Sequence, residues 1–366
     1  MSILRLQPQG KVLSPSEDYL VDRAFDRSFH LLFFHFWFGN DVGSLLDETN
    51  QKEEISVAFL KNGGELLEEL VASFDGRHRV PIASFSAQDI IRATNDIADF
   101  VHISENGYLF KGCLGDRPVL VKKFHEELIC PRKLNGAIND IVITSQMSHL
   151  KNVMKLIRCC LEFKHPVMVY EDAGNELLTD LLYYPNSDRF LPWKSRLKVA
   201  TDIAYVIAYL HDAFPRPVIY KELRTDKVIV DQFGVTKLVK DVLLGQCGSI
   251  DPEYTDSKIV NQKTHVYSIG LLLLNLMSGQ QFIWPHPVEE TACATSESYK
   301  GCFQKDRVKP FVDQKIIEEG GNEAGKQLQD FLDLALRCIQ KKGEERPDMM
   351  TVAKELRKIE KSGDHS

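Results

Sequence analysis

The sequence contains no long apolar run. Its longest is residues 31–38 (LLFFHFWF), broken by His35, whereas a membrane-spanning helix needs about twenty apolar residues. A secretory leader is not expected either, because Asp18, Asp22 and Asp26 stand where a leader is basic. Positive charge is not in excess: 45 Lys and Arg face 52 Asp and Glu, a net charge of −7. Nucleic-acid binders need a basic footprint to neutralise phosphates, so that class is set aside. Long blocks of like charge and repeats of 20–50 residues are missing, which excludes charged tails, solenoids and propellers. The cysteines are scattered, at 113, 130, 159, 160, 247, 293, 302 and 338, with no CxxC pair to clamp zinc. A 366-residue chain with a full core needs no disulfides, so reduced thiols and an intracellular compartment are expected. Residue 2 is Ser rather than Gly, and the first cysteine is Cys113, so N-terminal acylation is not expected.

What is present is ordinary globular composition, 43% hydrophobic and 27% charged, in a chain long enough for two domains or one two-lobed unit. Residues 1–52 form an aromatic-rich extension in which Phe25, Phe29, Phe33, Phe34, Phe36, Trp37 and Phe38 crowd without clean periodicity. It is read as a segment packed on the fold, with a partner- or membrane-docking patch as the alternative. Residues 53–94 read as a helical leader. Ile55, Phe59, Leu66, Leu67, Leu70 and Val71 recur near helical spacing, and Gly63-Gly64 predicts a break between two segments. Ser86 is placed to cap a second helix over residues 87–94.

Beyond residue 100 the period shortens to that of strands. Residues 108–112 and 119–124, joined by a turn at 115–118, predict a hairpin. A helix follows over 139–146, then strands near 154–161 and 166–171. From Trp193 onward the pattern is helical: Leu197, Ala200, Ala204, Ile207 and Leu210 form one stripe. Residues 271–277 are apolar on nearly every side, which predicts a buried helix. The reading is therefore α+β: a sheet-rich lobe over about 95–172, a helical lobe over about 173–360, and a cleft between them.

Several short strings fall in a telling order. Residues 119–122 (VLVK) lie on a strand, 139–141 (NDI) on the next helix, and 169–171 (VYE) at a strand end. Residues 250–254 (IDPEY), 265–270 (HVYSIG) and 345–347 (ERP) follow. Together they resemble a protein kinase, which implies a bilobal kinase-like fold. The strings ATND (93–96), CCLE (159–162), DPEY and VYSIG are similar to plant wall-associated and receptor-like kinases. Residues 59–90 resemble the leader of the receptor-like cytoplasmic pseudokinases that pair with NLR immune receptors.

The chemistry is weighed residue by residue, since a fold confers no activity. Phosphoryl transfer needs a glycine loop over the phosphates, a Lys–Glu pair, a catalytic Asp, and an Asn and an Asp on magnesium. The resemblance places the loop glycines at His102, Ser104 and Gly107, so only the third survives. Lys122 is the strand lysine and Asp140 stands for its Glu, one methylene short, so a stretched pair is expected. Leu120 replaces an alanine beside the adenine position, with Glu171 lining the same degenerate ATP site. Glu222 stands at the base position, Arg224 replaces the phosphate-steadying Lys, and Lys227 replaces the metal-binding Asn. Lys240 falls on the magnesium Asp, or Asp241 does if the alignment slips by one. His265 replaces the Asp that normally bonds the catalytic-loop backbone. Glu253, thirteen positions after Lys240, closes an unusually short segment and is expected to form a buried pair with Arg346. His149 and the Cys159-Cys160 pair read as packing.

Two functions stay open at this level. The first is a catalytically impaired pseudokinase acting as adaptor, decoy or scaffold in plant innate immunity. It would bind an NLR receptor and an active receptor-like cytoplasmic kinase, in the cytoplasm or at the inner face of the plasma membrane. The second is a weakly active ATP-dependent Ser/Thr kinase with Glu222 as base and Asp241 as metal ligand. No nucleic acid, no confident catalytic residue and no metal are expected, and any ATP binding is expected to be weak.

Overall fold

The computed structural model describes residues 48–74, 83–95, 100–104, 107–124, 131–172, 176–183, 190–214, 218–219, 223–231, 234–238, 251–257, 259–280, 312–320 and 324–362. Helix α1 (Glu48–Phe74) and α2 (Ala87–Asn95) precede strands β1 (Phe100–Ser104), β2 (Gly107–Leu114) and β3 (Arg117–Phe124). Then come α3 (Pro131–Met147), β4 (Leu156–Cys160) and β5 (Val167–Glu171). These strands form one sheet in the order β1-β2-β3-β5-β4, antiparallel throughout.

Side chains alternate across that sheet, as strand geometry requires. Leu109, Leu120, Phe124, Met168 and Tyr170 face α3 through Ile138, Ile141 and Val142. Val119, Val121, Val167 and Val169 pack on the other side with Ala87 and Ile90 of α2. Helix α2 comes close because Gly112 has no side chain: a Cβ there would lie 2.8 Å from the Ala93 carbonyl oxygen. Its start is closed by Ser86, whose Oγ accepts from Asp89 N–H (3.2 Å), while Asp89 accepts from Ser86 N–H (3.1 Å). The Ser86 hydroxyl, donating to Asp89 Oδ2 at 2.7 Å, and then the Ser86 N–H hold the Asp89 carboxyl below its usual pKa. The outer edge of β4 is covered as well. Ser84 bridges Cys159 in parallel, and Phe85 N–H donates to Cys159 O at 2.8 Å, so no ladder edge is left open there.

Helix α1 is continuous, contrary to the break expected at Gly63-Gly64. Tertiary anchoring outweighs the cost of about 1 kcal/mol for each helical glycine. Leu66 enters the sheet core. Buried Asn62 donates from Nδ2 to the Leu161 and Phe163 carbonyls at 2.9 and 2.8 Å. The opposite face of α1 exposes Val57, Leu60, Leu67 and Val71.

The turn held by Asn62 leads into His165, buried at 7% exposure. Burial, then the charges of Lys164, Lys61 and Lys123, push its pKa down to about 4. The folded state therefore keeps the neutral imidazole, while the unfolded chain binds a proton near pH 6.5. Stability from this site is fully present above about pH 6.5 and is lost as pH falls toward 4, by about 3 kcal/mol. Urea unfolding from pH 7.5 to 4.5 should show that decline, and His165→Gln should flatten it. An unchanged slope in the variant would refute the assignment.

The second lobe contains β6 (Glu176–Leu177), α4 (Leu178–Tyr183), α5 (Trp193–Asp212), β7 (Val228–Val230) and β8 (Thr236–Leu238). It continues with α6 (Pro252–Ser257), α7 (Gln262–Ser278), α8 (Gln314–Gly320), α9 (Ala324–Cys338) and α10 (Met349–Ser362). Its core runs along α5 and α7, and 271–277 is buried on all sides as its composition predicts. Asn261 and Thr264 close the start of α7 as a capping box, and Gly279 at φ 64° ends it. The lobes interlock. Leu238 N–H donates to Asn152 O (2.9 Å) and Met154 N–H to Leu238 O (3.2 Å). Ile143 and Met147 of α3 enter the helical core, and Ile229 of β7 enters the sheet core.

One expected pair is not formed. Arg346 binds Asp251, not Glu253, with Nη1–Oδ2 at 2.7 Å and Nη2–Oδ1 at 2.6 Å. Its remaining donors reach the carbonyls of Gln340, Lys263 and Lys341, and its guanidinium lies over Tyr267. Asp251 also accepts from Glu253 N–H at 3.0 Å, so it caps α6 just before Pro252. Glu253 instead accepts from Gly343 N–H at 3.3 Å.

Candidate functional site

The cleft-facing surface is built from β3, α3 and β5. Lys122 follows Leu120 on the same face of β3 because alternate residues share a side. Both are buried, Lys122 at 4% and Leu120 at 1% exposure. Lys122 Nζ lies 3.4 Å from Asp140 Oδ2, longer than a charge-assisted bond of about 2.7–2.9 Å, and 4.7 Å from the centre of the Phe124 ring. The stretched pair expected from the shorter acid is thus observed. Phe124 as a second partner was not foreseen, although its spacing from Lys122 places it on the same strand face.

Register supplies a further residue. Leu120 pairs across the strands with Tyr170, itself 1% exposed, and both belong to the sheet core. Leu120, which the resemblance places beside the adenine, thus packs with Tyr170 inside the sheet core. Glu171, at the end of β5, is only partly buried and pairs with Arg117 Nη2 at 3.1 Å. Gly107 is needed for packing: a Cβ there would collide with the Lys123 carbonyl oxygen, next to Phe124, its partner across the hairpin. Its survival says nothing about phosphate. His102 and Ser104 lie on β1.

At the base of the cleft, Lys227 ends a 3-10 turn over Thr225–Lys227. Arg224 Nη2 bonds Asp226 Oδ2 at 3.1 Å, so its charge is partly met from within the turn. Glu222, Lys240 and Asp241 lie outside the described residues. Among the described residues no group of three His, Cys, Asp or Glu could hold a metal ion. His149 is exposed, bonds Gln146 O through Nδ1 at 2.7 Å, and meets the Tyr209 ring edge-on. The Cys159 and Cys160 thiols are buried and pushed up to about 12 by desolvation, so both stay protonated.

With the lobes and the Lys122–Asp140 pair in place, comparison with known proteins decides the family. The sequence profile of the protein kinase domain matches residues 106–356. The chain belongs to the protein kinase family. Among relatives from Arabidopsis thaliana, the non-functional pseudokinase ZED1 is 36% identical, covering 82% of this chain and 96% of its own length. The serine/threonine-protein kinase ZRK1 is 31% identical over 85% and 95%. Wall-associated receptor kinase 1 is 30% identical over 85% of this chain and 43% of its own. The structure of the pseudokinase domain of BIR2, an immune regulator of the RLK/Pelle family, superposes with a TM-score of 0.61 at 20% identity, covering 79% and 90% of the two chains. That likeness concerns the fold. Among the described residues no helix is long and apolar enough to cross a membrane.

Proposed function

We propose that this kinase-family chain is a catalytically impaired pseudokinase that works by binding, as an adaptor in plant innate-immune signalling. The observation that carries the reading is Leu120 packed against Tyr170 where a base would enter. Lys227 supports it, with an ammonium group where the family's metal-binding Asn stands, because magnesium takes oxygen ligands. The alternative is a weakly active Ser/Thr kinase, for which the retained Lys122 and the name of ZRK1 speak. Autophosphorylation with labelled ATP in Mg²⁺ and in Mn²⁺ separates the two. No incorporation above that of Lys122→Ala is expected, and lysine-dependent label would restore the kinase reading.

The outer face of α1 supports docking. Val57, Leu60, Leu67 and Val71 are 59%, 72%, 63% and 56% exposed, an apolar stripe along one side of the helix that water solvates poorly. Its inner face is fixed by Asn62 and Leu66, so the stripe is presented on a rigid helix. The partner proposed from the subgroup resemblance is an NLR receptor gripping the chain with its leucine-rich repeats, with an active receptor-like cytoplasmic kinase on another side. The complex would sit in the cytoplasm, reaching the inner plasma-membrane face through its partners. Co-precipitation with a candidate NLR should fall at least tenfold in Leu60→Glu/Leu67→Glu, a loss of about 1.4 kcal/mol or more. Undiminished capture by a folded variant would refute α1 as the contact.

A further inference from the structure

Two buried histidines far apart in sequence meet between the main helices of the second lobe. His211 lies in the last turn of α5 and His265 in the first turn of α7. His211 Nε2 and His265 Nδ1 are 2.7 Å apart, and the ring planes differ by 4° with centres 5.0 Å apart. That short N···N contact at so large a centre separation places the rings edge to edge, in line, not face to face. Their exposures are 8% and 1%. One nitrogen donates and the other accepts, so the bond requires at least one imidazole to lack a second proton.

We infer that His211 and His265 form an acid-sensitive latch between α5 and α7. With both rings neutral a single N–H lies between them. The first added proton belongs on His211, because the C-terminal end of α5 favours a cation and the N-terminal end of α7 disfavours one. Burial opposes that proton and holds the His211 pKa below its ordinary value, with Asp212 acting the other way. A second proton, on His265, sets two N–H groups against each other and opens the bond. The unfolded chain takes both protons near pH 6.5, so acid weakens the latch relative to the unfolded state.

The charged groups on the surrounding elements are mostly committed elsewhere. Lys263 at the start of α7 donates to the Arg346 and Pro347 carbonyls at 2.5 and 3.2 Å. Behind Tyr267 the Asp251–Arg346 pair is closed. Arg224 is paired with Asp226. On α10, Glu355 and Arg357 are paired with Arg337 and Glu360. Lys221 and Glu222, in the segment between α5 and β7, lie outside the described residues. Among described groups, Asp212 is left as the charge acting on His211. The latch also bears on the chain leaving α5, where Val218 N–H donates to Leu210 O at 3.0 Å. It stands where the family resemblance puts an aspartate.

That aspartate supplies the test, because an Asp carboxylate oxygen lies as many bonds from Cα as His Nδ1 does. In His265→Asp the oxygen takes the place of Nδ1 and converts a neutral bond into an ionic one, which acid strengthens. Melting would be followed from pH 7.5 to 5.5 in the full-length chain carrying His165→Gln, so that His165 does not contribute. The parent should lose melting temperature as pH falls, and His265→Asp should lose less or gain. Parallel profiles for the two would overturn the latch. Should His265→Asp fail to fold, deuterium exchange at the imidazole C2 positions of the unmutated chain decides. The His211 midpoint is expected below the ordinary value near 6.5, because burial disfavours its charged form. Ordinary midpoints for both rings would overturn the proposal.

Discussion

Asp251→Ala is expected to lower stability by about 3–5 kcal/mol, because it leaves the Arg346 guanidinium buried and uncompensated. Arg346 is 2% and Asp251 also 2% exposed, so water cannot take over the lost bonds. The α6 cap disappears with the same substitution, adding about 1 kcal/mol. Glu253→Ala should cost only about 1 kcal/mol, since its carboxylate accepts one long bond from Gly343 N–H. Chemical denaturation of the two variants beside the parent measures the contrast. Equal losses, or a larger loss for Glu253→Ala, would return the ion pair to Glu253. The double substitution Asp251→Leu/Arg346→Met is the control: replacing both charges should recover much of what the single one loses.

The acids at 251 and 253 show where sequence reading stops. The string DPEY places the segment in the family, and both acids lie near the segment that carries Arg346. Which of them reaches it depends on how the chain enters α6, which no motif specifies. A local signal was available: Asp followed by Pro is a strong helix start, with Pro at the first helical position. Other features were legible for good physical reasons. Short, nearly continuous apolar runs give β3 and β5, and apolar residues on every side give the buried α7. The Lys122–Asp140 pair follows from motif order, and its stretch from the missing methylene. The Leu120–Tyr170 contact depends on strand register across fifty residues of chain, and the His211–His265 bond on how two helices cross. The continuous α1 was hidden by Gly63-Gly64, because local propensity was overridden by Asn62 and Leu66 on its inner face.

Leu120 carries the other large effect, and its substitution tests directly whether that side chain keeps nucleotide out. The unmutated chain should show no melting shift with millimolar ATP, in EDTA or in Mg²⁺. Leu120→Ala restores the residue that the resemblance expects beside the adenine. Removing a side chain that is 1% exposed should cost about 2–5 kcal/mol, because the surrounding core relaxes only partly into the cavity. The same cavity would open room for a planar base on the face of the sheet that carries Leu120 and Lys122. A ligand bound only by the folded state adds about 2.7 kcal/mol at a hundredfold excess over Kd, so ATP should recover part of the lost melting temperature. That recovery should appear in EDTA as well as in Mg²⁺, because Lys227 meets phosphate charge without a metal. Leu120→Ala that is destabilised yet unmoved by ATP would show that the absent loop glycines, not Leu120, exclude nucleotide. A shift in the unmutated chain that requires Mg²⁺ would place Asp241 on the metal and return the protein to the active kinases.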